Sequence, residues 1–274
     1  MYFLSGALPL SASLDIQIFS LLARVARLGP ENIIFKVAQF SLENPYTGSY
    51  FLMLRKLSLK YSLPDPVAFL LNPPSKAYWK GLVRSKVADF WHTKLCKIAE
   101  SKSSLKYLKC EFLELGKSPH PLWESCQGSH FAIKIACVQA KMLSGNYRSD
   151  AVLSKFSKTD NPSCKLPGCS SPLSDVTHLL SGTCPPLKES LLQGLKRGLS
   201  YLSSFPHLLP PILSILQSFD TTAWVQMVLD PSVHWYFIQI RQHFGKSSLW
   251  PIFRFSRTVI WSVHKKRSDL LHLS

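Results

Sequence analysis

Residues 131–146 read Phe131-Ala-Ile-Lys-Ile-Ala-Cys-Val-Gln-Ala-Lys-Met-Leu-Ser-Gly-Asn146, and the recurrence of their apolar positions decides the fold class. Phe131, Ile135, Val138 and Met142 are four, three and four residues apart. At 3.6 residues per turn they stack into one stripe, whereas on a strand they would divide between two faces. Gly145-Asn146 then tolerate the left-handed conformation that ends a helix. The spacing therefore predicts a helix over 131–144 with its stripe in a core.

The same pattern recurs in both directions from this segment. Leu14, Ile18, Leu21, Leu22 and Val25 mark a helix over 12–28 whose apolar face is buried, with Gly29-Pro30 as its stop. Residues 51–61 alternate leucine with Arg or Lys as a short basic helix, after a turn at Asn44-Pro45 to Gly48. Ser75 caps a long helix over 76–100. Further periodic segments cover 187–202, 208–219, 233–244 and 250–271, and Asp230-Pro231 has the form of a cap followed by proline at the first helical position. Alternating runs are few, so the class is mainly α. The expected organisation is an N-terminal segment (1–74), a basic helical domain (75–150), a small inserted CCHC knuckle (151–190) and a C-terminal helical bundle (191–274).

Charge narrows the function. The 274 residues carry 32 Lys and Arg against 16 Asp and Glu, a formal +16, and a field of that sign attracts polyanions. Half of the excess lies in residues 55–117, which hold 13 Lys and Arg against 5 Asp and Glu. In the 76–100 helix Trp79 and Trp91 alternate with Lys80, Arg84, Lys94 and Lys97. Read functionally, the indoles stack on bases and the cations meet phosphates; read structurally, lysine stems cover the edge of a core. Apolar residues make up 46% and mean hydropathy is +0.06, which excludes a disordered chain. The N-terminus lacks the basic start of a secretory signal and contains Pro9. The longest uncharged stretch, 198–219, is broken by Pro206, Pro210 and Pro211, so a membrane span is not expected.

The strongest chemical signal is Cys164-Lys-Leu-Pro-Gly-Cys169, followed after eight residues by His178 and after five more by Cys184. Three thiolates and an imidazole form a tetrahedral Zn²⁺ set with no position left for a reactive water, which predicts one structural zinc ion. Pro167-Gly168 supply a tight turn between two ligands, Gly182 a bend before the last, and Lys155, Lys158 and Lys165 offset the negative site. Seven cysteines, three of them within this cluster, suit a reducing compartment, nuclear or cytoplasmic, rather than a disulfide framework. Cys126 with His130 and His92 with Cys96 could be drawn as nucleophile and base, but no third orienting group is identifiable. The nine aspartates never occur as a pair, so the aspartate cluster of a two-metal polymerase is missing and no enzyme is expected.

Lys141-Met-Leu-Ser-Gly-Asn-Tyr-Arg-Ser-Asp150, the Cys164/Cys169/His178/Cys184 set and Thr177-His-Leu-Leu-Ser-Gly-Thr-Cys-Pro-Pro-Leu187 together resemble a known family. It is the region that follows the polymerase domain in reverse transcriptases of non-long-terminal-repeat retrotransposons, with its reverse-transcriptase zinc-binding domain. Asp230-Pro231-Ser232 looks similar to a tail element of that region. The resemblance implies a fragment that holds element RNA, single-stranded DNA or target DNA beside an upstream polymerase domain, with Lys141, Tyr147 and Arg148 among its nucleic-acid contacts. The alternative is an inactive structural or protein-interaction remnant. Two departures stand out: one residue more than usual between His178 and Cys184, which predicts looser metal geometry, and Asn146 where a basic residue is common, which removes one phosphate-binding group.

Overall fold

The computed structural model describes residues 2–156 and 161–272. All regular structure among them is helical, as the periodicity requires, and the chain forms two compact units.

The first unit comprises residues 2–98 and 113–118. It contains α1 (Tyr2–Ser5), α2 (Leu10–Val25), α3 (Ile33–Glu43), α4 (Tyr50–Lys60), α5 (Pro66–Leu71) and, as far as Ile98, α6 (Lys76–Glu100). Side chains start these helices. Asn32 accepts the Ile34 N–H, Ser49 that of Leu52, and Asp65 those of Val67 and Ala68 ahead of Pro66. Ser75 accepts the Tyr78 N–H at 3.4 Å and so opens α6. One apolar core runs from Ala12 through Phe19, Leu42, Leu54 and Phe69 to Val87. The expected boundary at 74/75 therefore falls inside a single core. The buried face of α2 also differs from the expected one. Leu14 and Leu21 are exposed, while Ala12, Phe19, Leu22 and Ala23 are buried. The fully buried Phe19 ring sets the rotation of that helix.

The second unit comprises residues 99–112 and those from 119 onward. Its helices are α7 (Pro121–Glu124), α8 (His130–Leu143), α9 (Asp150–Lys155), α10 (Val176–Leu180), α11 (Pro185–Leu202), α12 (Pro210–Ser218), α13 (Thr221–Leu229), α14 (Trp235–Phe244) and α15 (Trp250–His272). On α8 the expected stripe is buried at Ile135, Val138 and Met142, and the chain leaves the helix through Gly145 at φ +67°. Phe131 is exposed and meets the Trp261 ring edge-on. The closest helix pair is α11 on α15. Gly194 and Gly198 make it close: a Cβ on Gly194 would stand 3.1 Å from the Val259 Cα, and one on Gly198 2.6 Å from the Phe255 ring.

This core also contains polar groups. His120 and Asp230 are both buried and joined at 3.1 Å. The Leu122 N–H donates to His120 Nδ1, so Nε2 carries the proton that Asp230 accepts. Arg257 is buried on Ser125, donating to its Oγ at 2.5 Å and its carbonyl at 3.0 Å. Asp230 also accepts the Ser232 N–H and opens a short turn at Pro231, as the Asp-Pro pair predicts. The cysteine-rich loop is part of this unit rather than a separate one: Leu179 and Leu180 are buried, and the Trp224 indole donates to the Leu180 carbonyl at 2.9 Å. No helix among the described residues is long and apolar enough to cross a membrane.

Candidate metal centre

The loop that carries the first two cysteines is closed by backbone hydrogen bonds. The Cys169 N–H donates to the Leu166 carbonyl at 3.1 Å with Gly168 at φ +76°, which matches a type II turn with proline second and glycine third. The Cys164 N–H donates to Ser171 O, and the Ser174 N–H to Pro162 O. Asp175 then caps α10 by accepting the His178 N–H at 2.8 Å. Gly182, at φ +80°, turns the chain after α10. Cys184 occupies the N-cap position of α11 ahead of Pro185 and Pro186.

These local decisions bring four ligand atoms together. The sulfurs of Cys164, Cys169 and Cys184 and a ring nitrogen of His178 all lie within 4.8 Å of one another and can hold a metal ion. Cys169 Sγ stands 3.4 Å from His178 Nε2 and 3.9 Å from Cys184 Sγ. A tetrahedral ion with bonds of about 2.3 Å to sulfur and about 2.0 Å to nitrogen requires edges of about 3.8 Å between sulfurs and about 3.5 Å between sulfur and nitrogen. The donor set therefore fits one such ion. These two edges are close to those of a regular site, within an overall spread of 4.8 Å. At that sulfur separation Cys169 and Cys184 do not form a disulfide, and none of the seven cysteines is in one.

The histidine is oriented from behind. Its Nδ1 lies 3.1 Å from Thr183 Oγ1, and the same hydroxyl donates to the His178 carbonyl at 3.4 Å. Thr183 Oγ1 also meets Ser181 Oγ at 2.7 Å, and with Nδ1 engaged by Thr183 it is Nε2 that faces the sulfurs. Lys106 reaches Asp175 at 3.5 Å and Thr177 at 2.9 Å, and the Tyr107 hydroxyl meets Thr177 at 2.8 Å, so α10 is held at its start from outside the loop. Burial pushes the Cys164 and Cys184 thiols up, with the neighbouring sulfurs adding to the effect, and lowers His178 against the pull of Asp175. Three sulfurs this close ionise together only around a cation. Lys155 and Lys165 are exposed; Lys158 lies outside the described residues. Asp175, three residues before His178, has the spacing of a cap and is readable in sequence. Thr183, Lys106 and Tyr107 have no local signal.

The nucleic-acid positions separate into two groups. Lys80, Arg84, Lys94, Lys97, Lys141 and Arg148 are exposed. Trp79 is a correction: it is 3% exposed, its ring lies 4.0 Å from Phe69 and 6.2 Å from Phe19, and its indole donates to Phe19 O. No base can stack on it without opening the core. Tyr147 is likewise buried, with its hydroxyl 2.9 Å from His264 Nδ1 and the Arg267 guanidinium over its ring. Trp91 is half-buried, donates to the Tyr61 hydroxyl, and carries Lys94 Nζ 4.7 Å above its ring. The cations of α6 do not share one groove. Lys80, Arg84 and Lys94 line three different clefts of the first unit.

The two thiol–histidine pairs differ. Cys96 is buried, with its sulfur 3.8 Å from the His92 ring nitrogens. Cys126 donates to the Leu122 carbonyl, and burial pushes its thiol up against the pull of Arg257, the reverse of what nucleophilic attack needs. Comparison of the chain with protein-family models, with curated proteins and with solved structures returns no match.

Proposed function

We propose that this chain is a non-catalytic nucleic-acid-binding module stapled by one structural Zn²⁺ ion, with the role of the region that follows the polymerase in non-long-terminal-repeat retrotransposon reverse transcriptases. The carrying observation is the convergence of Cys164, Cys169, His178 and Cys184 within 4.8 Å around an imidazole whose free nitrogen is directed by Thr183. Three sulfurs and one nitrogen favour zinc over the oxygen-seeking Mg²⁺ and Ca²⁺, and four protein ligands leave no open coordination position for hydrolysis. The partner is RNA, single-stranded DNA or target DNA, and the compartment is the nucleus or cytoplasm. The formal +16 and the exposed Lys80, Arg84, Lys94, Lys97, Lys141 and Arg148 support this reading. With Trp79 and Tyr147 in the core, affinity rests on phosphate contacts and sequence preference is weak.

Binding of the full chain to single-stranded RNA across a salt series tests the proposal. Replacing Lys94 and Lys97 by Gln flattens the log–log salt slope by about 0.7 for each phosphate that is no longer neutralised and weakens all sequences alike. Unchanged affinity and slope would assign these lysines to a solvated face. One observation favours the alternative of a protein-interaction remnant: Ile33, Val37 and Phe40 stand exposed along one side of α3. Absence of RNA and DNA binding at low salt would select it.

A further inference from the structure

In the first unit, the C-terminal half of α2 and the first turns of α6 enclose a cleft of about 420 Å³, a size typical of small-molecule sites. Arg24, Arg27, Lys76 and Lys80 line it, and no carboxylate does. None of the four joins an ion pair among the described residues. Ile16 and Leu28 supply its apolar surface, backed by the core residues Trp79 and Val83, whose position is fixed because the Trp79 indole is bonded to Phe19 O. Arg27 is positioned rather than loose: its guanidinium donates to the carbonyls of Ala23 and, at 3.2 Å, of Pro74. Ser20, the one hydroxyl in the lining, donates its hydrogen to the Ile16 carbonyl. The cleft therefore offers cations at its sides, hydrocarbon below, and little with which to read the edge of a base.

Four like charges beside a low-dielectric wall repel one another and focus a positive potential into the cleft. An anionic head relieves that repulsion, while an apolar body gains by covering Ile16 and Leu28. We infer that the cleft binds an amphiphilic organic anion, with its hydrocarbon against Ile16 and Leu28 and a phosphate or carboxylate head among Arg24, Arg27, Lys76 and Lys80. The inference does not rest on the nucleic-acid reading, although Lys80 serves both.

Calorimetric titration of the full chain with decyl phosphate, decanoate, decanol and inorganic phosphate, each below its micellar concentration, tests it. The expected result is saturable binding of one decyl phosphate or decanoate per chain, the tighter of the two identifying the head. Decanol and inorganic phosphate should bind at least about tenfold more weakly, since each offers half of the interaction. Ser20→Trp, which fills the mouth and keeps every charge, should abolish binding. Arg24→Gln with Arg27→Gln should weaken it by about tenfold or more. If that pair fails to fold by circular dichroism, Lys76→Gln, at an exposed position, should still weaken binding several-fold. Decanol binding as tightly as decyl phosphate, no saturable binding, or unchanged affinity in the charge variants overturns the inference. Loss of RNA affinity in those variants without amphiphile binding overturns it too, while leaving the proposed function intact.

Discussion

The two units reach a packed interior by different chemistry. The core of the first is almost entirely hydrocarbon and aromatic, gathered from α2 to α6, with its cations left outside as on Lys80, Arg84 and Lys94. The second buries ionisable groups, His120 with Asp230, Arg257 on Ser125 and Arg267 beside Asp150 at 3.8 Å, and brings together four side chains that can hold a metal ion, from the loop before α10 to the start of α11. A hydrocarbon core tolerates imprecise partners and loses stability in proportion to volume removed. A core with buried charges and a metal site depends on each partner being present. The difference teaches where each unit should be fragile.

Metal removal should have the largest effect. Stripping a structural zinc forfeits metal-linked folding energy of the order of 10 kcal/mol in isolated knuckles. Chelation should raise hydrogen exchange in residues 161–184 and the first turn of α11, with the amides of α2 to α6 unchanged. Equal loosening of both units would erase the contrast.

Two substitutions compare the cores directly. Trp79→Ala in the first unit should cost about 3–5 kcal/mol, measured by denaturant unfolding, as a large aromatic lost from a dry core does. A cost below about 1 kcal/mol would place the indole at the surface after all. His120→Ala in the second should cost about 3–5 kcal/mol for a different reason, because it leaves one oxygen of the buried Asp230 carboxylate without its donor. Burial opposes ionisation of Asp230, but the His120 ring and the Ser232 hydroxyl and amide override it and hold the carboxyl below its ordinary 3.8. The folded form thus binds its proton less readily than the unfolded chain. The stability this contributes is complete above the ordinary value and is lost as pH falls through the depressed one. In His120→Ala that acid dependence should shrink, which pH-resolved melting reads.

A smaller pair has opposite signs. Gly198→Ala in α11 places a methyl group 2.6 Å from the buried Phe255 ring and should destabilise by about 1–3 kcal/mol. Gly81→Ala in α6 meets nothing within 4 Å and should stabilise by up to about 1 kcal/mol through helix propensity. The same sign at both positions would mean that the two helices are packed alike.

Much of this architecture was legible in sequence because caps and stops are local. Ser75 and the 76–100 periodicity locate α6, Gly145 ends α8, and Pro167-Gly168 with Gly182 shape the metal loop. Rotation about a helix axis was not legible. Leu14 and Leu21 read as core on α2, yet the bulk of Phe19 and the packing of Trp79 against it turn them to solvent. Trp79 misleads for the same reason: an aromatic residue among lysines has one pattern whether it stacks on a base or fills a core. Lys106 and Tyr107 escaped because each acts through a hydrogen bond whose partner tertiary folding supplies, and Thr183 because its contact with His178 depends on how the chain turns at Gly182.

The central claim is that Cys164, Cys169, His178 and Cys184 hold one structural zinc ion. Native mass spectrometry of the full chain, alongside elemental analysis, tests it most directly. The account predicts about one zinc per chain, lost in Cys169→Ser. Protein purified with zinc present throughout that carries none, or a Cys169→Ser variant that retains the parent's zinc, would contradict it.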